Sequence, residues 1–292
     1  MRTLVRTLAI VWAALWAGVT TGAAQEVGPA RGALVIVGGG LRDQAIVERF
    51  IALAGGPDAP IVVIPTAGDG DQYDQYWNGL GQLKSAGARQ LTVLHTRDRA
   101  VANTQSFVAP IKTAGGVWFP GGRQWRLADA YLNTLTQTEI ANLLARGGVV
   151  GGTSAGATIL GSYLVRGDTR GNTIMMGDHE VGFGFLRNTA IDQHLLRRNR
   201  QFDLIGVIER HTDLLGIGID ENTAIVVRGD TFDVIGQSYV AIYDNQRLLG
   251  DDGRFYLLQP GDRFNLHTRD AARPATTQRP VEGLTKHPWP KR

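Results

Sequence analysis

The sequence predicts an α/β fold in which helices cover both faces of a mostly parallel sheet. Through the first half of the chain, short apolar segments alternate with segments of helical periodicity. A strand that is apolar at every position is typical of a parallel sheet, because such a sheet is buried on both faces. With 292 residues, 43% of them hydrophobic and 20% charged, the chain is long and apolar enough to form a sizeable core.

The predicted elements follow one another as strand, helix and strand. The first strand covers residues 33–37, and the helix after it lies near residues 45–54. Further strands are predicted at residues 61–64, 91–94 and 116–119, with a second helix over residues 73–86. Ligands of parallel sheets gather at the carboxyl ends of the strands, and glycine-rich turns follow the first strand and the last of these.

The last third of the chain has a different pattern, since its apolar segments are short and are separated by Asp, Asn and Gly. These segments, at residues 225–227, 232–235, 240–243 and 255–258, predict an antiparallel β extension of the same domain. From Thr268 onward the chain is basic and polar and contains proline, so residues 268–292 are predicted to form a disordered tail.

The first 24 residues have the pattern of a signal peptide rather than of a structural element. Arg2 and Arg6 precede an apolar segment at residues 8–19, which is short for a membrane span, and Gly22-Ala23-Ala24 offers a cleavage site. We therefore expect a periplasmic or secreted protein that begins near Gln25 and has no stable membrane insertion; an uncleaved N-terminal anchor is the alternative. The chain has no cysteine, hence no disulfide, thiolate nucleophile or lipidated cysteine.

The segment Gly152-Thr153-Ser154-Ala155-Gly156 matches the G-x-S-x-G pattern of a strand that turns sharply into a helix. An apolar segment precedes it, and residues 157–160 after it are compatible with a helix. Such a turn exposes the serine hydroxyl, and the helix N-terminus supplies N–H groups for an oxyanion. The pattern predicts Ser154 as a nucleophile; a packing turn is the alternative, because the chain has 38 glycines.

A serine nucleophile needs a base to take its proton and a carboxylate to orient that base. His194 is the first candidate for the base because it ends an apolar stretch, and His179 and His211 are the alternatives. For the carboxylate, Asp220 and Glu221 follow an apolar strand segment, although both also fit a turn.

Composition and spacing argue against several other functions. The net charge of +3 is small and the basic residues are mostly scattered, so nucleic-acid binding is not expected. Gly38-Gly39-Gly40 follows a strand, but Asp43 stands where a dinucleotide-binding motif needs glycine, so a tight turn bordering the site is the preferred interpretation. The six histidines are far apart in sequence, and we expect neither a catalytic metal nor another cofactor.

Four sequence blocks follow one another along the chain. They are Gly121-Gly122-Arg123-Gln124, Gly152 to Ala157, Asp192-Gln193-His194 with Arg198 and Arg200, and Gly216 to Ala224. Together they resemble peptidase family S51, the cyanophycinases and aspartyl dipeptidases, with cyanophycinase as the closer match. The resemblance implies a fold similar to that of class I glutamine amidotransferases and makes residues 25–267 a hydrolase domain of this type. A glutamine amidotransferase itself is excluded, because those enzymes use a cysteine nucleophile.

The resemblance also implies roles for individual residues. Ser154 would be the nucleophile, His194 the base and Glu221 the carboxylate that orients it, an order along the chain that differs from that of α/β-hydrolases. The N–H groups of Gly122 and Ala155 would hold the oxyanion. The substrate pocket would be lined by Gln124, Asp192, Gln193, Arg198 and Arg200. In that pocket the arginines would face substrate carboxylates, and Asp192 could face a substrate guanidinium.

By the same resemblance the substrate would be cyanophycin, a polyaspartate that carries arginine on its side-chain carboxyls. The enzyme would cut it through an acyl-enzyme to β-aspartyl-arginine, and the resemblance also implies a possible homodimer. Two departures bear on this substrate: Asp203 replaces a third arginine common after the histidine, and Arg123 replaces the usual Asp or Asn. One removes a positive charge and the other adds one, so the charge of the pocket is expected to be redistributed. Other aspartyl or isoaspartyl peptides, and a non-catalytic exported binding protein of the same fold, are the alternatives.

Overall fold

The computed structural model describes residues 26–246 and 254–274. These residues form two β-sheets, and helices pack on both faces of the larger one. The predicted signal peptide at residues 1–24 and most of the predicted tail, residues 275–292, lie outside the described residues. No described helix has both the length and the apolar character that crossing a membrane requires.

Strands and helices alternate in the first half of the chain, and strands predominate in the second half. The described strands are β1 Ala33–Val37, β2 Pro60–Val63, β3 Gln90–Val93, β4 Gly116–Phe119, β5 Val149–Thr153, β6 Gly161–Tyr163, β7 Leu186–Gln193, β8 Leu215–Ile219, β9 Thr223–Arg228, β10 Thr231–Gly236, β11 Val240–Tyr243, β12 Tyr256–Leu258, β13 Arg263–Asn265 and β14 Asp270–Ala272. The described helices are α1 Gln44–Ala54, α2 Gly81–Ser85, α3 Arg99–Ala102, α4 Gln105–Thr113, α5 Gln124–Tyr131, α6 Leu135–Ala145, α7 Ala155–Thr158 and α8 Ile205–Arg210, and a 3₁₀ turn covers Asn78–Leu80.

The larger sheet has nine strands in the order β14-β13-β10-β9-β1-β5-β4-β2-β3. Strands β1, β5, β4, β2 and β3 are parallel, and the antiparallel strands β9, β10, β13 and β14 extend the sheet beyond β1. This arrangement confirms the predicted α/β fold with its mostly parallel sheet and antiparallel C-terminal extension. Because β5 lies between β1 and β4, the turn that follows β5 opens in the interior of the sheet's carboxyl edge.

Both faces of the larger sheet are buried, as its continuous apolar strands predict. Within β1, Leu34 and Ile36 belong to a core that includes residues of α4, α5 and α6. Val35 and Val37 belong to a second core, on the other face, that includes residues of α1. Alternate residues of one strand therefore serve two cores, which is why β1 has no polar position.

The sequence did not predict the smaller sheet, whose five strands follow the order β12-β11-β8-β7-β6. Residues 240–243 and 255–258, predicted as part of an antiparallel extension of the domain, form β11 and β12 and join this sheet rather than the larger one. Strands β7 and β8 pair in parallel with Gln193 opposite Ile219, so the segments that follow them emerge at the same edge. A local apolar pattern fits either sheet, and only the complete fold decides between them.

Two local predictions differ from the structure. The helix expected over residues 73–86 is reduced to α2 and the 3₁₀ turn before it. Tyr73 instead holds a loop, since its hydroxyl accepts the Gly70 N–H at 2.8 Å and its ring packs edge-on against Trp77. The disordered tail expected from Thr268 onward still contains β14, which pairs with β13 and continues the sheet to Ala272.

Candidate active site

Ser154 stands at the sharp turn between β5 and α7. Its backbone has a φ of 58° and a ψ of −116°, a strained conformation for a residue with a side chain. A Cβ on Gly152 would overlap the carbonyl oxygen of Gly156, and a Cβ on Gly156 would overlap that of Phe119. Both glycines of the G-x-S-x-G pattern are therefore required by close backbone approach.

The Ser154 hydroxyl reaches His194, and His194 reaches Glu221. Ser154 Oγ lies 2.9 Å from His194 Nε2, and His194 Nδ1 lies 2.6 Å from Glu221 Oε1. With its proton on Nδ1, the imidazole donates to the carboxylate, and Nε2 accepts from the hydroxyl. His194 directly follows β7 and Glu221 lies just after β8, so the parallel pairing of these strands brings the two side chains together.

The glycine turn after β1 packs against the side chains of His194 and Glu221. A Cβ on Gly39 would overlap the His194 ring, and a Cβ on Gly40 would overlap the Glu221 carboxylate. These glycines have φ values of 114° and 51°, in the region that favours glycine. The Gly38 carbonyl accepts the His194 N–H at 2.7 Å, which also fixes the backbone of the histidine. The predicted tight turn at the border of the site is thus one of its walls.

The two adjacent acids after β8 have different surroundings. Glu221 contacts the imidazole, whereas Asp220 Oδ1 accepts the N–H groups of Leu196 and Arg197, each at 2.9 Å. Asp220 Oδ2 accepts from the Ser238 hydroxyl at 2.6 Å. Asp220 therefore holds the turn that follows the histidine, and of the two acids it is Glu221 that contacts the imidazole.

Burial lowers the pKa of His194 below its usual value of 6.5. The hydrogen bond to Glu221 raises this pKa, and the positive charges of Arg198 and Arg200 lower it further, but burial is the largest influence. A lowered pKa favours the neutral imidazole, which is the state that can accept a proton.

The two segments that are predicted to supply the oxyanion donors lie next to Ser154. Ala155 is the first residue of α7, so its N–H has no partner within the helix. The Gly121-Gly122 segment passes beside the serine, since a Cβ on Gly121 would lie 3.7 Å from Ser154 Oγ. Gly122 has a φ of 145°, and a Cβ there would overlap the Ala67 carbonyl. Oxyanion binding by Gly122 and Ala155 stays a prediction.

Among the residues predicted to line the substrate pocket, only Arg198 is exposed. Gln124 is buried, and its Nε2 donates to the Val165 carbonyl at 2.9 Å. Gln193 and Arg200 are also buried, and Arg200 Nη1 donates to Gln193 Oε1 at 2.9 Å. Contact of these residues with a substrate stays a prediction.

Asp192 does not face an open pocket, in contrast to the expectation that it meets a substrate guanidinium. Its side chain is 0% exposed, and its two carboxylate oxygens accept from Nε and Nη2 of Arg166 at 2.7 and 2.8 Å. Sequence reasoning missed Arg166. A buried carboxylate requires a positive partner or several donors, but no local pattern tells that the partner lies 26 residues upstream.

His179 and His211, the alternatives for the base, have other partners. The two ring nitrogens of His179 each lie 2.8 Å from a carboxylate, one of Asp178 and one of Asp129. The His211 ring packs against Tyr163 with 4.6 Å between ring centres. Within residues 26–246 and 254–274, no group of three His, Asp or Glu residues is placed to hold a metal ion.

The chain is similar to known proteins in sequence and in fold. The sequence profile of peptidase family S51 matches residues 34–235. The cyanophycinase of Geminocystis herdmanii is 31% identical over 264 residues, which are 82% of this chain and 95% of that protein. The cyanophycinase of Nostoc sp. is 32% identical over 263 residues, 80% of this chain and 86% of that protein. The crystal structure of a peptidase from an acI-B1 Actinobacterium superposes with a TM-score of 0.61 at 26% identity, covering 82% of this chain and 98% of that one.

Gly39→Ala tests whether the glycine turn positions His194. The new Cβ would overlap the imidazole, so we expect the ring to move and Ser154 to react about 100-fold more slowly with a fluorophosphonate probe. Gly56→Ala is the matched control, because Gly56 has a φ of 99° but open space at its Cβ position. Both variants carry the strain of a side chain at positive φ, about 1–2 kcal/mol, which thermal unfolding measures separately. Equal labelling of the two variants would contradict this role of the turn.

Proposed function

This chain belongs to peptidase family S51, and we propose that within the family it is a serine peptidase with cyanophycinase activity. The observation that carries the proposal is the hydrogen-bonded line of Ser154, His194 and Glu221 at the carboxyl edge of the larger sheet. A nucleophile, a base and an orienting carboxylate in direct contact are what acyl transfer to a serine requires.

In the proposed reaction, Ser154 Oγ attacks the carbonyl carbon of a peptide bond while its proton passes to His194 Nε2. Glu221 stabilises the imidazolium from the other side of the ring and does not take the proton. Collapse of the tetrahedral intermediate breaks the C–N bond, and His194 gives its proton to the leaving amine. Water, activated by His194, then hydrolyses the acyl-enzyme and restores the serine.

The negative oxygen of the tetrahedral intermediate would be bound by the backbone N–H groups of Ala155 and Gly122. Donors that are fixed before the reaction need no reorganisation as charge develops, and losing one such donor costs about 100- to 1,000-fold in rate. The strained turn at Ser154 and the close approach of the Gly121-Gly122 segment support this assignment, since both bring backbone next to the hydroxyl.

The proposed substrate is cyanophycin, and the proposed products are β-aspartyl-arginine dipeptides. Relatives named cyanophycinase are 31% and 32% identical to this chain. Charge supports a substrate with carboxylates, because Arg198 is exposed and both Arg198 and Arg200 act on the pKa of His194. Positive charge beside the base raises the local concentration of an anionic substrate.

Cleavage of other aspartyl or isoaspartyl peptides is a second candidate, and one observation favours it. Arg166 occupies the carboxylate of Asp192, so Asp192 is not open to the guanidinium of a cyanophycin side chain. A substrate that carries carboxylates but no arginine needs no such partner.

Incubation of the protein from Gln25 onward with purified cyanophycin, beside a Ser154→Ala control, tests the proposal. We expect the wild type alone to release β-aspartyl-arginine, detected by mass spectrometry, because the variant lacks the attacking oxygen. An isoaspartyl dipeptide assayed in parallel compares the two candidate substrates. Release of dipeptide by both proteins would rule out the serine mechanism. No release from cyanophycin, with hydrolysis of the isoaspartyl dipeptide, would select the second candidate.

The pH profile of kcat/KM should have an acid limb set by His194. Because burial lowers the pKa of His194, we expect the midpoint below 6.5, with activity lost as pH falls through it and the imidazole becomes protonated. Glu221→Gln removes the carboxylate that raises this pKa, so the midpoint should move further toward acid and the plateau should fall about 10³- to 10⁴-fold. A wild-type midpoint above 7, or an unchanged midpoint in the variant, would contradict this assignment.

We also propose that residues 1–24 direct export and are removed after Ala24, on the basis of their sequence pattern. The mature protein is then expected in the periplasmic or culture fraction with Gln25 as its first residue. N-terminal sequencing of the protein recovered from each cell fraction measures both features. A cytoplasmic protein that still begins at Met1 would refute export.

A further inference from the structure

Arg166 is a buried arginine that the proposed reaction does not use. It lies between β6 and β7 with 1% exposure and a φ of 58°. Its Nε and Nη2 donate to the two oxygens of Asp192 at 2.7 and 2.8 Å, the fork geometry that suits a guanidinium and a carboxylate. Nη2 also donates to Asp203, and Nη1 donates to the Asn172 carbonyl at 2.9 Å. All three nitrogens of the guanidinium thus have partners in the protein.

Burying this ion pair has a cost. When Arg166 and Asp192 leave water, their attraction offsets the lost hydration only if the geometry is good and further hydrogen bonds are made. An apolar pair of similar volume would fill the same space without that loss. The side chain of Asp203 is 38% exposed and adds a second carboxylate, while Arg200 adds a second positive charge close by. The formal charges of these four side chains cancel.

Hydrogen bonds lead from Arg166 to the turn that carries His194. Asp192 Oδ1, which accepts from Arg166, also accepts the Gln193 N–H at 2.9 Å. Arg200 Nη1 donates to the carbonyl and to the side-chain oxygen of Gln193, at 3.1 and 2.9 Å. His194 is the next residue and has a φ of 55°, a conformation that persists only where the surrounding structure holds it.

We propose that Arg166 is a positioning residue for His194: by filling the guanidinium site at Asp192, it fixes the backbone of Gln193 and therefore the place of the base. The inference rests on the proposed serine mechanism and adds to it the group that keeps the base His194 within hydrogen-bond distance of Ser154. It also bears on selectivity, because Asp192 carries a guanidinium of the protein itself, and an arginine of the substrate must bind elsewhere.

Arg166→Ala removes the fork and leaves a space of its shape beside Asp192. We expect fluorophosphonate labelling of Ser154 to become about 100-fold slower. Guanidinium chloride at about 50 mM, far below the molar concentrations that unfold proteins, should restore part of the rate. Tetramethylammonium chloride at the same concentration is the salt control, since that cation has no hydrogen-bond donor. The rate of labelling and the temperature of thermal unfolding are both measured under each condition.

Arg170→Ala is the matched control variant. Arg170 lies in the same segment and also pairs with an aspartate, Asp168, but its side chain is 77% exposed. The Asp168 side chain is buried, but its Oδ1 also accepts the Arg170 backbone N–H at 2.8 Å, a hydrogen bond that alanine keeps. Labelling of this variant should therefore stay within about twofold of the wild type.

Slower labelling that guanidinium reverses and tetramethylammonium does not reverse would support the proposal. Unchanged labelling of Arg166→Ala would overturn it. The proposal would also be overturned if guanidinium restored thermal stability but not labelling, because that result is expected of an arginine with a purely structural role. If Arg166→Ala does not fold, Arg166→Lys takes its place, because lysine keeps the charge but not the fork. Its labelling should then be slower than that of the wild type, because the two-pronged contact with Asp192 is lost, and a wild-type rate would overturn the proposal. Absence of labelling in the wild type itself would overturn the serine mechanism and this role together.

Discussion

Three consecutive carbonyl groups at the end of β1 hold the three segments that carry the site. The Val37 carbonyl accepts the Ser154 N–H at 3.0 Å, the Gly38 carbonyl accepts the His194 N–H at 2.7 Å, and the Gly39 carbonyl accepts the Asn222 N–H at 2.8 Å. The first segment belongs to the larger sheet, and the other two follow strands of the smaller sheet. The turn therefore joins the sheets where nucleophile, base and carboxylate meet, and its backbone sets their spacing.

These carbonyl bonds also explain how the chain tolerates strain at the site. Ser154, His194 and Asn222 have φ values of 58°, 55° and 57°, each in the left-handed region that residues with side chains seldom adopt. Such residues cost on the order of 1–3 kcal/mol each and persist only where neighbouring structure fixes them. Ser154 donates its N–H to the last residue of β1, and His194 and Asn222 donate theirs to the glycine turn, which can approach so closely because it lacks side chains. His194 and Asn222 therefore depend on the glycines, because only a turn without side chains can come close enough to bind their N–H groups.

The parts of the site that depend on local pattern could be predicted from the sequence. Strand β5, the serine turn and the border position of the glycine turn are of this kind. From the sequence, His194 and Glu221 are each one of several candidates, because the pairs they form join residues 40 and 27 positions apart. Only the family resemblance selects them. The smaller sheet and Arg166 could not be predicted, since packing across the whole fold decides which strand pairs with β7 and which cation meets a buried carboxylate.

The two departures from the family pattern contact the same segment, the one between β6 and β7. Asp203 accepts from Arg166, and Arg123 Nη2 donates to the Asp168 carbonyl at 2.8 Å. Asp203 therefore belongs to the ion cluster around Arg166, and the redistribution of the pocket's charge that the sequence suggests stays a prediction. An arginine introduced at position 203 would lie near Arg166 and would replace a carboxylate that now binds it, so the cluster would lose a negative charge as well as gain a positive one. The net charge of this cluster is for this reason set jointly by positions 166 and 203, and a substitution at position 203 has to be judged together with Arg166.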